Sequence, residues 1–225
     1  WTPDGRRVVF TSKEKGPGDH YIKDASGTKE AEPLLVNSEE KYVSDWSADG
    51  RYVIYTSRDG GNTDWNTWAV PTTGDRKPIP IGKTQFAEMW ATVSPDGKYV
   101  AYQSNESGRA EIYVHEFPEA RNKWQVSTAG GLEPYWRRDG RELYYRQGTR
   151  LIAVPVQAGQ TFSAGTPRVL FEGAYTRLGW AQANYDVAPG GKGFLMIKGN
   201  SLGLPTSIDV ATHWFEQLRA ITPAK

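Results

Sequence analysis

Val93-Ser-Pro-Asp-Gly-Lys-Tyr-Val-Ala-Tyr102 decides the fold, because the same plan recurs along the chain. Related stretches begin at Trp1, Trp46 and Trp136, and a degenerate fifth copy begins at Val187. The starts at residues 1, 46, 93, 136 and 187 are 45, 47, 43 and 51 residues apart. A repeat of this length with strand-forming residues is typical of propeller blades of four strands each. The sequence therefore predicts an all-β protein, a β-propeller of four-stranded antiparallel blades.

Each copy of the motif predicts one strand end, a tight turn and a second strand. Gly97 supplies a positive φ because it has no Cβ, and Asp96 belongs to a residue type that tolerates the left-handed region. Aromatic and β-branched residues then fill a run of strand length, as in Lys98–Gln103. We expect the Trp or Val that opens each copy to pack between neighbouring blades.

Composition narrows the class of protein. The 225 residues are 38% hydrophobic and 12% aromatic, which is enough for one packed domain covering residues 1–225. A net charge of +1, from 27 basic and 26 acidic residues, disfavours nucleic acid or an anionic membrane as the partner. The chain has no cysteine, and no apolar run is long enough to insert into a membrane. Because it begins at Trp1 inside a repeat, we expect covalently attached upstream sequence.

About five blades are predicted, with approximate bounds 1–38, 39–82, 83–128, 129–173 and 174–211. The first blade lacks its innermost strand except for Trp1. A short C-terminal helix is expected at 212–221, because apolar Trp214, Leu218 and Ile221 have helical spacing. A closed ring of six blades would need about 270 residues. We therefore expect a fragment of a larger propeller, with exposed strand edges near Trp1 and the C-terminal strand.

The repeated pattern, Trp/Val-Ser/Thr-Pro-Asp-Gly-Lys/Arg, resembles the WD-like repeats of TolB-like six-bladed β-propellers. The segment Asn184–Lys198, followed by Ile208–Val210 and Trp214–Leu218, resembles the closing segment of propellers attached to bacterial serine/threonine kinases. This resemblance implies a kinase-associated sensor domain of a larger bacterial protein, in the periplasm or at the cell surface. Gly190 departs from the pattern, where the family has Asp. No kinase motif is present, so kinase activity is not implied.

Two short motifs suggest chemistry but fit ordinary loops better. Gly199–Gly203 matches the Gly-x-Ser-x-Gly pattern of a nucleophile elbow, but Leu204-Pro205 follows where that elbow needs a helix. Asp59–Asp64 is rich in possible calcium ligands, but its spacing misses the EF-hand pattern. Gly, Asn and Asp are also the usual residues of a polar turn. We predict no catalytic residue in either segment.

The remaining titratable clusters are also interpreted as structural. His20, His115 and His213 are isolated in sequence and lack paired ligands at metal spacing, so no metal site is predicted. Arg137, Arg138 and Arg141 surround a hairpin turn, where solvated side chains are favoured over a phosphate site. No residue pattern indicates a cofactor.

Two functional hypotheses remain. The first is a non-catalytic binding or sensing propeller for a protein, peptide or glycan ligand. The second is the substrate-gating propeller of a prolyl-oligopeptidase-type hydrolase whose catalytic domain is not in this chain. A lyase or glycosidase function is not favoured, because no paired carboxylates stand out in this sequence.

The candidate binding residues come from the innermost strands, which line the central channel of a propeller. The positions three residues before the motif starts are Val43, Trp90, Glu133 and Asn184. Trp90 would offer apolar area, while Glu133 and Asn184 would fix the orientation of a peptide or sugar. The alternative places the interface on the rim loops, with Trp90 packed between blades.

The motif also predicts which substitutions damage the fold. Trp136→Ala should lower the free energy of unfolding by about 3–5 kcal/mol, because it removes a buried ring and leaves a cavity. Ser201→Ala, at a loop position, should change it by less than about 0.5 kcal/mol. Urea unfolding midpoints measure both values. Loss of a wild-type esterase activity in Ser201→Ala would instead support the nucleophile elbow.

Overall fold

The protein is described by a computed structural model that covers residues 1–58, 64–159, 161–177, 183–188, 191 and 193–198. The covered residues contain 18 β-strands. The strands are β1 (Arg7–Ser12), β2 (Asp19–Asp24), β3 (Glu32–Leu35), β4 (Glu40–Trp46), β5 (Tyr52–Arg58), β6 (Asn66–Pro71), β7 (Ile79–Gly82), β8 (Glu88–Val93), β9 (Tyr99–Ser104), β10 (Glu111–Glu116), β11 (Lys123–Gln125), β12 (Leu132–Trp136), β13 (Glu142–Gln147), β14 (Arg150–Ala158), β15 (Phe162–Ala164), β16 (Arg168–Glu172), β17 (Tyr185–Val187) and β18 (Phe194–Met196).

These strands form five antiparallel sheets that follow one another along the chain. The sheets are β1–β3, β4–β7, β8–β11, β12–β16 and β17–β18. Each of the second and third sheets has four strands in chain order, as expected for a propeller blade. The predicted all-β propeller architecture is therefore confirmed. The sequence also predicts a strand at 207–211, in the fifth blade. That strand and the helix predicted at 212–221 lie outside the described residues, as does His213. In the described part of the chain, no helix is long and apolar enough to span a membrane.

The sequence predicts a loop at 158–166, between strands near Leu151–Val156 and Arg168–Phe171, and the fourth sheet differs from this prediction. β14 continues to Ala158, and β15 folds back on its end, with Val156 opposite Ala164. The loop prediction was wrong because Phe162 is a core residue, 2% exposed. Its ring lies 5.4 Å from the rings of both Tyr99 and Trp124 in the third sheet. Burial of this aromatic side chain anchors the extra hairpin.

In the repeated turn, the Gly supplies the positive φ and the Asp accepts hydrogen bonds, a difference that the sequence did not indicate. Gly97 has a φ of 71°, and its counterparts Gly5, Gly50, Gly140 and Gly191 have φ of 68–75°. Among the Asp-Gly turns, no Asp has a positive φ, so the expectation of a left-handed Asp was wrong. The Asp96 carboxylate instead accepts hydrogen bonds from Ser94 Oγ (2.6 Å) and the Lys98 backbone N–H (3.2 Å). A short acceptor side chain therefore closes the turn.

The residue that opens each motif packs against the preceding sheet, as expected. Trp46 is in a cluster with Ile22 and Leu34 of the first sheet. Trp136 is in a cluster with Tyr99 and Ile112 of the third sheet, and it is 3% exposed. Val93 packs in the same way between the second and third sheets. Val187 packs between the fourth and fifth sheets. Trp1 is 73% exposed, since no described sheet lies on that side of it.

Charged and polar side chains are buried between the first and second sheets. Lys41 is fully buried, and its Nζ donates to Asn37 Oδ1 (2.7 Å) and lies 3.3 Å from Asp19 Oδ1. His20 is also fully buried, with Nδ1 3.2 Å from Thr11 Oγ1. Burial, and secondarily the charge of Lys41, lower the pKa of His20 to about 3. His20 is therefore neutral in the folded protein at ordinary pH.

This burial predicts a pH dependence of stability. His20 has a folded pKa of about 3, below the ordinary value of about 6.5. Between about pH 7 and about pH 5 the unfolded chain binds a proton there and the folded chain does not, so unfolding is favoured as pH falls. His20→Leu should therefore lose about 2 kcal/mol less stability over this interval than wild type. Urea unfolding at both pH values measures the difference. Equal pH dependence in the two proteins would contradict burial of a neutral His20.

Candidate functional site

The innermost strands converge on a cavity of about 400 Å³. β4, β8, β12 and the segment around β17 all contribute to its wall. The lining residues are Trp1, Ser44, Asp45, Trp90, Ala91, Thr92, Pro134, Tyr135, Ala183, Tyr185 and Asp186. The volume lies in the range of ligand pockets. This cavity is the candidate functional site.

A β-bulge at the same place in three inner strands shapes the wall. The register shifts between Val43 and Asp45 in β4, between Met89 and Thr92 in β8, and between Leu132 and Tyr135 in β12. The extra residue interrupts the alternation of side chains between the two faces of the sheet. In these three strands, both residues that immediately precede the motif line the cavity, and the two corresponding residues of β17 do so without a bulge. They are Ser44 and Asp45, Ala91 and Thr92, Pro134 and Tyr135, and Tyr185 and Asp186.

The bulges also hold two side chains in an unusual backbone conformation. Trp90 has a φ of 53° and Glu133 a φ of 55°, although neither is glycine. Such residues cost of order 1–3 kcal/mol and persist only where the surroundings fix them. Both are buried, Trp90 at 6% and Glu133 at 0% exposure.

Hydrogen bonds join the polar groups of the wall in pairs. The Asp45 carboxylate accepts hydrogen bonds from Thr92 Oγ1 (2.9 Å) and from the Val93 and Trp46 backbone N–H groups (both 2.8 Å). On the fifth sheet, Asp186 Oδ1 accepts from Tyr135 Oη and the Val187 backbone N–H, both at 2.7 Å. Each carboxylate thus lies one residue before a motif start and is held by a hydroxyl from a neighbouring inner strand.

Burial raises the pKa values of two side chains in the wall, Asp45 and Tyr135. Desolvation raises the pKa of Asp45, although its three hydrogen bonds act in the opposite direction. Burial, together with the hydrogen bond to Asp186, raises the pKa of Tyr135 well above its ordinary value. The phenol therefore remains protonated and serves as a hydrogen-bond donor at neutral pH.

The predicted binding residues occupy different environments. Trp90 lines the cavity and is 6% exposed. Val43, Glu133 and Asn184 are buried at 8%, 0% and 7% exposure and are not among the lining residues. In β4 and β12, the bulges bring the two residues after Val43 and Glu133 to the cavity instead. A binding role for Trp90, Glu133 and Asn184 stays a prediction.

Glu133 and Asn184 do meet, but in a buried polar network. Asn184 Nδ2 lies 3.2 Å from Glu133 Oε1, and its backbone N–H lies 3.2 Å from Oε2. Arg146, with a side chain 4% exposed, lies 3.8 Å from Glu133 Oε2. Arg177 Nε lies 3.2 Å from Glu133 Oε1, with a guanidinium carbon 5.8 Å from the Trp90 ring centre. Glu133 therefore connects the inner strands of the fourth and fifth sheets.

The sequence prediction missed Asp45, Thr92, Tyr135 and Asp186. A usable indication was present, since a residue with a polar group directly precedes each of these four motif starts. Strict alternation in a strand places the residue three before the motif start on the same face as the residue directly before it. The sequence prediction took the more distant of these two positions.

The other sequence candidates gain no site from the structure. In the described residues, no three His, Asp or Glu side chains are grouped in a way that could hold a metal. His115 Nε2 lies 2.7 Å from Tyr102 Oη. Arg137 pairs with Glu142 (3.0 Å) and Asp139 (3.3 Å). The motif Gly199–Gly203 and residues 59–63 lie outside the described residues.

The comparisons by sequence find no relative. No protein-family model matches the chain, and no curated protein matches it.

Comparison with solved structures identifies the fold. A protein described as TolB from Agrobacterium tumefaciens matches with a TM-score of 0.61 and 16% identity, over 76% of this chain and 63% of that one. TolB from Acinetobacter baumannii matches with a TM-score of 0.53 and 18% identity, over 76% of this chain and 42% of that one. A puromycin-hydrolyzing peptidase from Mycobacterium tuberculosis matches with a TM-score of 0.58 and 15% identity, over 83% of this chain and 34% of that one.

These matches show a TolB-like propeller fold. The chain spans less than two thirds of the length of each of these three proteins. At these identities the likeness concerns the fold alone, so the functional argument depends on the cavity.

The Glu133 network predicts a large effect on stability. Glu133→Ala should lower the free energy of unfolding by about 3–5 kcal/mol, because it leaves the buried Arg146 without its carboxylate. Glu119→Ala removes the same group from an exposed turn and should change stability by less than about 0.5 kcal/mol. Urea unfolding of both variants measures the contrast. Equal effects would mean that the network does not hold the fourth and fifth sheets together.

Proposed function

We propose that this chain is a non-catalytic binding domain whose central cavity receives an extended segment of a protein or peptide partner. The observation that carries the proposal is the cavity wall, where four inner strands each present two consecutive residues. The wall combines apolar and aromatic surface with fixed carboxylate and hydroxyl groups, a mixture suited to orienting a ligand. Its volume of about 400 Å³ fits one or two side chains better than a folded surface.

The absence of catalysis is part of the proposal. Asp45 is held by three donors and Asp186 by two, as expected for groups that fix a ligand. In the described part of the chain, neither carboxylate lies beside a histidine or an activated hydroxyl that would serve as a nucleophile. A glycan is the alternative ligand, since Trp1 is 73% exposed in the wall, although Trp90 and Tyr185 are buried at 6% and 5% exposure.

We further propose that the domain belongs to a larger bacterial protein and acts outside the cytoplasm. The resemblance of residues 184–198 to the closing segment of kinase-attached propellers supports this placement. A sensing role would follow if ligand capture by the cavity were coupled to a covalently attached domain. The sequence of the intact gene product upstream of Trp1 tests this arrangement.

A second proposal is a substrate-gating propeller for a peptidase. The fold match to the mycobacterial peptidase favours it, because that protein shares the propeller and carries a hydrolytic activity by its description. The two proposals differ in what the gene encodes beyond Lys225. An α/β-hydrolase domain there would favour gating, and a stop codon would leave the binding domain.

The cavity proposal is tested with a peptide library. A phage-displayed library is panned on the immobilised chain, and the affinities of selected peptides are measured by calorimetry. Ser44→Phe, which adds a ring to the wall, should weaken binding about tenfold or more, because the ring occludes the cavity. Ala48→Phe adds the same ring at an exposed position of the neighbouring turn and should leave affinity unchanged.

The folded state of each variant is checked by near-ultraviolet circular dichroism before affinities are compared. Unchanged affinity in a folded Ser44→Phe protein would remove the cavity from consideration and place the interface on the rim loops.

A further inference from the structure

Among the described residues, neither cavity carboxylate forms an ion pair with a lysine or an arginine. In the described part of the chain, nine other acidic residues form ion pairs with Lys or Arg, including Glu142 with Arg168 and Glu106 with Lys123. Asp45 and Asp186 receive hydrogen bonds from neutral donors, and no ion pair with either is found among the described residues. The charge of the Trp1 amino group, in the same cavity wall, favours the ionised form of Asp45 without forming an ion pair with it. Two carboxylates that line one cavity without a paired lysine or arginine concentrate negative potential there.

Both hydrogen bonds to Asp186 end on the same oxygen. Tyr135 Oη and the Val187 backbone N–H both donate to Oδ1. In the part of the chain that the structure describes, Oδ2 therefore keeps its lone pairs for a ligand. Asp186 is exposed and lines the cavity, so an incoming group reaches this oxygen directly.

Two buried polar atoms of the wall also lack partners. Trp90 is 94% buried, lines the cavity, and its Nε1 has no hydrogen-bond partner within the described ranges. Ser44 Oγ, on strand β4 of the same wall, is also buried and has no hydrogen-bond partner within the described ranges. Buried donors without partners are costly and rare in native proteins. A ligand that carries an acceptor, such as a peptide carbonyl, would satisfy Trp90 Nε1.

The Trp90 ring already contacts one cation. The guanidinium carbon of Arg177 lies 5.8 Å from the ring centre, within the range of cation–π attraction. Arg177 also pairs with Glu133 at 3.2 Å, so its charge is engaged away from Asp45 and Asp186. The ring face thus tolerates a cation beside the cavity, while in the described part of the chain neither aspartate is paired with a lysine or an arginine.

We propose that the cavity binds the cationic group of an extended peptide, a lysine or arginine side chain or an amino terminus, between Asp45 and Asp186. Trp90 Nε1 donates to a carbonyl oxygen of the same peptide. Ala91, Pro134 and Ala183 contribute surface for the aliphatic stem that carries the charge. The inference rests on the proposed function and names the chemistry of the ligand at that site.

A metal ion fits these groups less well than an organic cation. Calcium takes six to eight oxygen ligands. No group of three or more acidic or histidine side chains with ligand geometry is present within the described residues. Thr92 Oγ1 and Tyr135 Oη are already engaged as donors to the carboxylates.

The test uses four pentapeptides of sequence Gly-Ser-X-Ser-Gly as probes. Three are blocked at both ends, with X as Lys, Arg or Gln, and the fourth has X as Gln and a free amino terminus. Binding is followed by nitrogen–proton NMR through the indole resonances of the nine tryptophans, with Trp90→Phe identifying the Trp90 signal. At least one cationic peptide should shift this signal and bind about tenfold or more tighter than the blocked Gln peptide.

Charge-removing variants locate the interaction. Asp186→Asn and Asp45→Asn should each weaken the cationic peptide about tenfold or more, because each replaces one carboxylate by a neutral amide. Asp75→Asn removes a carboxylate from an exposed turn and should leave affinity unchanged. Asp186 is exposed, so Asp186→Asn remains a usable test if Asp45→Asn does not fold.

The outcomes separate this inference from the proposed function. Equal binding of all four peptides, no binding by any cationic probe, or unchanged affinity in Asp186→Asn would overturn the inference. If the cationic inference fails but Ser44→Phe still abolishes binding of the library-selected peptides, the cavity remains a binding site for neutral ligands. If those peptides bind Ser44→Phe normally, the proposed site itself fails.

Discussion

The packing of one motif residue against the preceding sheet organises the structure. Trp46, Val93, Trp136 and Val187 each fill the space between two successive sheets, with 3–7% exposure. Trp136 also donates an indole hydrogen bond to the Thr92 backbone carbonyl, at 3.0 Å, across the same boundary. A buried aromatic or β-branched side chain of this size contributes roughly 1.5–3 kcal/mol, so the repeated contact is a large share of a marginal total. It also fixes the depth at which every inner strand ends.

Because the inner strands end at a fixed depth, the bulges determine which side chains line the cavity. Since each motif start is held between sheets, the extra residue inserted just before it must be accommodated on the cavity side. Trp90 and Glu133 absorb the change with positive φ values, 53° and 55°, and the buried Glu133 network stabilises the second of them. A bulge in this position redirects side chains as bulges do beside many active sites. The cavity is thus a consequence of local strain that the inter-sheet packing holds in place.

The fold was predictable because its determinants are local and repeated. The turn, the strand that follows it and the apolar residue before it lie within ten residues, and four clear copies show the same plan. The site was harder, because a bulge depends on how β8 pairs with β9 and leaves no mark in the strand's own sequence. The hairpin at Phe162 and the contact of Glu133 with Asn184 likewise depend on partners 38 to 63 residues away. Pairing distant residues from one sequence needs the fold first.

The charge distribution then separates the residues that hold the fold from those that face the cavity. Glu133 has Arg146 and Arg177 as partners, and its removal leaves a buried cation, so its role is to hold two sheets together. Asp45 has a pKa raised by desolvation, so its ionised form opposes folding at neutral pH despite three hydrogen bonds. A carboxylate that reduces stability in its own pocket is expected where a ligand supplies the missing charge. The same reasoning distinguishes Asp186, whose donors are neutral, from the paired carboxylates of the outer strands.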